Sequence, residues 1–142
     1  MISFNYETSF KLARKSDYTK WLSLVILSEG KKEGDINYVF CDDEFLVEIN
    51  QQYLNHNTLT DIISFDYSVG NELHGDIFIS IQRVRENASE YEVSFEEELK
   101  RVMVHGVLHY CGYKDKSPND EKGMRLKEDE KMKMFHVEQK KI

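Results

Sequence analysis

The chain has 142 residues, 40% of them hydrophobic, with one proline and seven glycines. That composition predicts one domain over 1–142 with its own core, and leaves no length for a second. Nineteen Lys and Arg against 26 Asp and Glu give a formal charge of -7, which argues against a general nucleic-acid coat protein. Cys41 and Cys111 are too few for a disulfide framework and read as reduced thiols of a soluble, cytosolic protein, and no apolar run is long enough to span a bilayer.

In chain order, Ile2 to Tyr6 reads as a short strand. A helix follows from about Phe10 to Ser28, with Phe10, Ala13, Tyr18, Trp21, Leu22 and Val25 near helical spacing and Gly30 as a stop. From Lys11 to Lys32 the stretch is locally positive, and the ordinary role of such a run is a solvated helix face. INYVFC (36–41) is a strand, and Asp42 caps a helix whose Phe45, Leu46, Ile49 and Tyr53 fall on one side. The polar loop NHNTLT leads into a strand at 61–67, and SVGNELHG separates it from another at 76–80; so short a connection predicts antiparallel pairing. Ile81 to Glu92 reads as a helix, and Ser94 with Glu97 has the capping-box spacing that starts the next one, running to Tyr110. A last helix covers about Asn119 to Phe135. Strands interleaved with helices predict an α+β fold: a mixed, mostly four-stranded β-sheet packed with about five helices.

The chemistry concentrates in VMVHGVLHYCGYKDKSP, residues 102–118. Residues four apart on a helix lie one above the other, so His105 and His109 direct their rings to the same place. Two histidines at this spacing also arise by chance, but Val102, Met103, Val104, Val107 and Leu108 predict a buried helix, in which uncompensated imidazoles are costly. Gly112 can end the helix and turn the chain back, bringing Asp115 to the pair. His105, His109 and Asp115 are then three ligands of a zinc-like ion whose fourth position stays open, as in catalytic rather than structural sites; other first-row ions can use the same donors. The spacing is similar to that of the metzincin proteases, but where those carry a glutamate as general base this chain has Gly106. A glycine takes no proton, so peptide hydrolysis gives way to phosphodiester hydrolysis, in which charge stabilisation weighs most.

HGVLHYCGYKD resembles the signature His-Gly-x-Leu-His-x-x-Gly-Tyr-x-His of the YbeY family, bacterial metal-dependent endoribonucleases. LTDIISF (59–65), HGDIFIS (74–80) and the acidic EDEKMKMF after Met124 resemble further family segments, so the likeness runs through roughly 36–135. The resemblance implies a single-strand-specific ribonuclease with one bound metal, acting in ribosomal RNA maturation and ribosome quality control in the cytoplasm, with RNA and the ribosome as partners. Two departures stand out. The family's third histidine is Asp115 here, which brings a negative charge and weakens the ion as a Lewis acid. The family's arginine, aligned on Asn50, is Leu54, which cannot hold a phosphate. His56 is a weak substitute candidate, and Lys11, Arg14 and Lys15 are candidate substrate contacts.

Among single residues, His74 reads as structural rather than as part of a cleft, Asp61 as a turn-ordering residue at its strand start, and Cys111 and Trp21 as packed. Glu128 is a possible orienting partner of a metal ligand, with exposure its expected fate. Two rival functions stay open: a ribosome-biogenesis binding module whose metal is structural, and a zinc peptidase with a carboxylate supplied from elsewhere.

Overall fold

Four strands and five helices make up the chain in the order β1 (Ile2–Tyr6), α1 (Lys15–Ser28), β2 (Lys32–Cys41), α2 (Asp43–Leu54), β3 (Ile62–Asp66), β4 (Glu72–Ser80), α3 (Ile81–Tyr91), α4 (Phe95–Tyr110) and α5 (Pro118–Met132), with a 3-10 turn at Lys133–His136. The computed structural model describes residues 1–54 and 60–136. His56 and the side chain of Leu54 lie outside the described residues. The sheet has the order β1-β2-β4-β3, with β1, β2 and β4 parallel and β3 antiparallel to β4. This is the expected α+β fold with a mixed sheet.

β4 is central, and its strict alternation sorts the layers. Leu73, Ile77 and Ile79 join the main core, whereas Phe78 turns to the other face, where α2 contributes Leu46 beside Cys41 and Ile63. α4 lies on the main-core face and is buried along most of its length. Two tyrosines tie it to the sheet: Tyr38 Oη donates to the Met103 carbonyl at 2.7 Å and Tyr110 Oη to the Phe65 carbonyl at 2.9 Å. Among the described residues no helix is long and apolar enough to cross a membrane.

The caps follow the sequence. Asp42 Oδ1 accepts from Phe45 N–H at 3.0 Å, and Ser94 Oγ accepts from Glu97 N–H at 3.0 Å. The boundaries differ in three places. α1 starts at Lys15 rather than Phe10, because Arg14 takes a left-handed φ of 56° that a helix cannot propagate. Phe10 and Leu12 still reach the core, Phe10 packing against Phe40 and Phe95, so their apolar spacing recorded burial and not helix. β2 and β4 begin four residues earlier than their cores suggest, at Lys32 and Glu72, pairing with one another through a register shift between Glu33 and Ile36. The helical tail breaks after Met132 into the 3-10 turn.

Candidate metal centre

The end of α4 builds the centre. Gly112, at φ 104°, leaves the helix in the left-handed region. Gly112 N–H donates to the His109 carbonyl at 3.0 Å and Tyr113 N–H to the Leu108 carbonyl at 3.1 Å, the bond pair of a Schellman turn. The reversal does two things. It returns Asp115 to the histidines, and it aims the Tyr113 carbonyl at His109 Nδ1, 2.9 Å away. That oxygen can only accept, so Nδ1 carries the proton and a neutral His109 presents a bare lone pair at Nε2.

His105 is oriented from the opposite side. Its Nδ1 lies 2.7 Å from Glu128 Oε2 on α5, and the other carboxylate oxygen accepts from Arg101 at 2.8 Å. Arg101 also bonds Asp129 at 2.7 Å. Burial works to depress the His105 ring, but the hydrogen bond and charge of Glu128, with Asp115 and Asp61 beyond, outweigh it and hold the pKa above the usual histidine value. Glu128 is 4% exposed. The expectation that it sits in solvent is therefore corrected: the His105 N–H and the Arg101 guanidinium bonded to it, with Arg125 3.8 Å away, supply the compensation a buried carboxylate requires. A carboxylate behind a ligand imidazole fixes the tautomer and strengthens the donor.

Three acceptors thus converge. His105 Nε2 and His109 Nε2 are 3.0 Å apart, and Asp115 Oδ2 is 3.1 Å from the first and 3.3 Å from the second. When both rings are neutral, with the proton of each on the committed Nδ1, none of the three donates to the others, and three lone pairs at this range repel. A cation relieves them. Donor atoms bound at 2.0–2.2 Å around a tetrahedral ion stand about 3.3–3.5 Å apart, close to what the side chains already show. The set can hold a metal ion, and two imidazoles with one carboxylate suit zinc and its first-row neighbours.

The missing glutamate has a packing explanation. A Cβ on Gly106 would stand 2.9 Å from Ile77 Cδ1 and 3.3 Å from Ile62 Cδ1. Position 106 faces the sheet, so a carboxylate there would enter the core rather than the cleft.

A cleft of about 510 Å³ opens beside the ion site and is lined by His105, His109, Asp115, Asp61, Glu98, Arg101, Arg125 and Glu128 with residues of β3 and α3. A neighbouring hollow of about 490 Å³ shares His105, Asp115, Arg125 and Glu128 and adds Lys122. Asp61 therefore does more than order a turn: it faces the cleft, where burial raises its carboxyl above the ordinary range against the opposing charge of His105. His74 does not line this cleft; it bonds Glu72 at 2.9 Å and accepts from Asp35 N–H at 3.1 Å. Lys11 lies over the Tyr6 ring and Arg14 over Phe135, and neither they nor Lys15 line the cleft. Cys111 caps α4, and Trp21 is core, its Nε1 donating to the Lys131 carbonyl at 2.8 Å. Glu98, Arg101 and Arg125 carry no motif. For the first two a signal existed: Glu98, His105 and His109 are spaced seven and four apart and share one face of α4, with Arg101 beside it.

A three-donor group that can hold a metal ion, at a polar cleft on a buried helix of a mixed sheet, is an arrangement that metal-dependent hydrolases use. The chain belongs to the YbeY family, whose model, Endoribonuclease YbeY, matches residues 3–136. Proteins named Endoribonuclease YbeY from Flavobacterium psychrophilum and Flavobacterium johnsoniae are 70% and 68% identical to it over 139 residues, or 98% of this chain and 99% and 100% of those proteins. One from Bacteroides thetaiotaomicron is 44% identical over 121 residues, 85% of this chain and 88% of that protein. Among solved structures, the solution structure of TM1509 from Thermotoga maritima superposes with a TM-score of 0.70 at 26% identity, covering 97% of this chain and 91% of that one.

Proposed function

We propose that this chain is a single-strand-specific, metal-dependent endoribonuclease that hydrolyses RNA phosphodiesters in the cytoplasm, in ribosomal RNA processing at the 3′ end of the small-subunit RNA and in ribosome quality control. The observation that carries the reading is the convergence of His105, His109 and Asp115 as three bare acceptors at the cleft, in a chain of the Endoribonuclease YbeY family. Zn2+ is the ion proposed. When bound, such an ion supplies Lewis acidity, offsetting charge that builds on a phosphoryl oxygen and making water a better nucleophile near neutral pH.

The rest falls to the protein's own side chains. Glu128 holds the His105 ring in the tautomer that presents Nε2, and Arg101 holds Glu128. Among the described residues, Arg125 is the cation that lines both hollows without a close ion pair: its side chain is 57% exposed, and Glu128, the carboxylate paired with it, is 3.8 Å away. We assign to it the phosphate contact that Leu54 cannot make, closer to the centre than Lys11, Arg14 or Lys15. Asp115 adds a charge where the family has a histidine, so the site neutralises more of the ion and asks more of Arg125.

Metal analysis of the purified protein, followed by chelation and reloading, tests the reading. The expected result is one divalent ion per chain, and a chelated protein that stays folded, stops cutting single-stranded RNA, and recovers when Zn2+ returns. Protein that cannot be loaded overturns the assignment, and metal removal that melts the fold points instead to a binding module with a structural ion.

A further inference from the structure

At the end of the cleft away from the ion site, Glu98 is 5% exposed and lines the cavity. Among the described residues no side chain forms a hydrogen bond or ion pair with its carboxylate, and no fully enclosed side-chain polar atom lacks a partner, so the exposure that remains to Glu98 is its oxygen atoms facing the cleft. A carboxylate held that way has lost most of its hydration without gaining a protein donor, and its oxygens stay open to the cleft. Burial, with Asp61 adding like charge, raises it from the usual 4.5 to about 6, and at neutral pH it is ionised. The same cleft is lined by Tyr91 of α3, 52% exposed and without a ring partner among the described residues, with Asn87 one turn earlier on the same face.

An aromatic ring with a free face, beside a carboxylate short of donors, is the chemistry that reads an unstacked base. We propose that the crevice between α3 and the first turns of α4 is a nucleobase subsite in which Tyr91 stacks on a base and Glu98 accepts the N1–H and N2–H donors of guanine. Guanine alone offers a carboxylate two adjacent donors. Adenine and cytosine present one amino group beside a ring-nitrogen acceptor, and uracil one imino donor between two carbonyls, so an ionised Glu98 discriminates against all three. Glu98 precedes His105 by seven residues, about 10.5 Å along the helix axis. A base seated there belongs to a nucleotide neighbouring the one at the ion site, not to the reacting phosphate itself. The inference rests on the ribonuclease reading and adds a sequence preference to it.

Short oligouridine strands carrying one guanine, one inosine or neither test it, with binding to the protein as purified followed by fluorescence anisotropy and strand integrity checked on gels. The guanine strand should bind roughly tenfold tighter than the uridine strand, with inosine, which lacks the N2 amino group, in between. Glu98→Gln should bring the guanine strand down to the uridine level. Tyr91→Ala, an exposed position that does not threaten the fold, should weaken all three by roughly tenfold through lost stacking. Equal affinity of the wild type for guanine and uridine strands overturns the subsite, as does a guanine preference that survives both substitutions. A second divalent ion per chain that disappears in Glu98→Gln, in place of any guanine preference, also overturns it. Strands cut without preference remove the subsite alone, whereas strands neither bound nor cut remove the ribonuclease reading as well.

Discussion

The two ends of the α4 cleft are built on opposite terms. At the C-terminal end the donors are held in place: Glu128 and the Tyr113 carbonyl each hold one imidazole, Arg101 holds Glu128, and His105 Nε2, His109 Nε2 and Asp115 Oδ2 converge on a single spot. At the N-terminal end the Glu98 carboxylate is buried with no donor among the described residues, and Asp61 beside it is raised by the same burial. The first end is preorganised for a cation; the second is left short of hydrogen-bond donors. The difference teaches that burial of a charged group means different things according to its partners. Where the donors are present the group is a support, and where they are absent it marks a place something else must fill.

Breaking the first end should give the largest effects. His109→Ala removes one of three donors and should lower metal affinity by more than about 100-fold, beyond what an orienting partner costs, with RNA cleavage lost and the fold kept; metal titration, cleavage assay and circular dichroism check each part. Glu128→Gln leaves the ligands in place but weakens the carboxylate behind His105, and about a 10–100-fold loss of metal affinity is expected. At the other end the sign reverses. Glu98 binds its proton more tightly in the folded chain than unfolded, chiefly through burial, with Asp61 and Glu128 adding to it and Arg101 and Arg125 opposing, so the stability it contributes is full below pH 4.5 and is lost as pH rises through about 6. Glu98→Gln should therefore stabilise the chain at pH 7 by about 2 kcal/mol and make its denaturant midpoint less dependent on pH across that window. Asp61, raised as well, keeps some slope. The smallest effect is expected of Arg125→Ala: a several-fold loss of RNA affinity for every sequence, and a salt dependence shallower by about 0.7 in log–log slope, the share of one phosphate contact on a single strand. A loss confined to one sequence would place Arg125 on a base instead.

The part of the site carried by one helix and its turn could be read directly. His105 and His109 share a face because four residues make just over one turn, and Gly112 forces the reversal that sets Asp115. The orienting partners could not be read in the same way. α5 contains few apolar residues, and hydropathy suggests burying Leu126 and exposing Glu128 and Lys131. The structure does the reverse: Leu126 is 69% exposed, while Glu128 and Lys131 are buried. Lys131 bonds Glu29 at 2.8 Å and Ser28 at 2.9 Å, so this helix docks through matched charges that a hydropathy pattern cannot register. The N-terminal helix failed at its boundary for a related reason, since Phe10 and Leu12 are apolar to fill the core from an extended segment.

By itself the sequence determined the elements, their caps, the antiparallel turn from β3 to β4, and the grouping of His105, His109 and Asp115, because each rests on spacings a few residues long and on backbone geometry common to every chain. Only the tertiary structure decided that Gly106 faces the sheet, that Glu128 backs His105, and that Glu98 and Tyr91 line the same cleft. Those outcomes depend on which faces of α3, α4 and α5 pack together. That choice is set by the summed fit of many distant side chains, and no local spacing contains it.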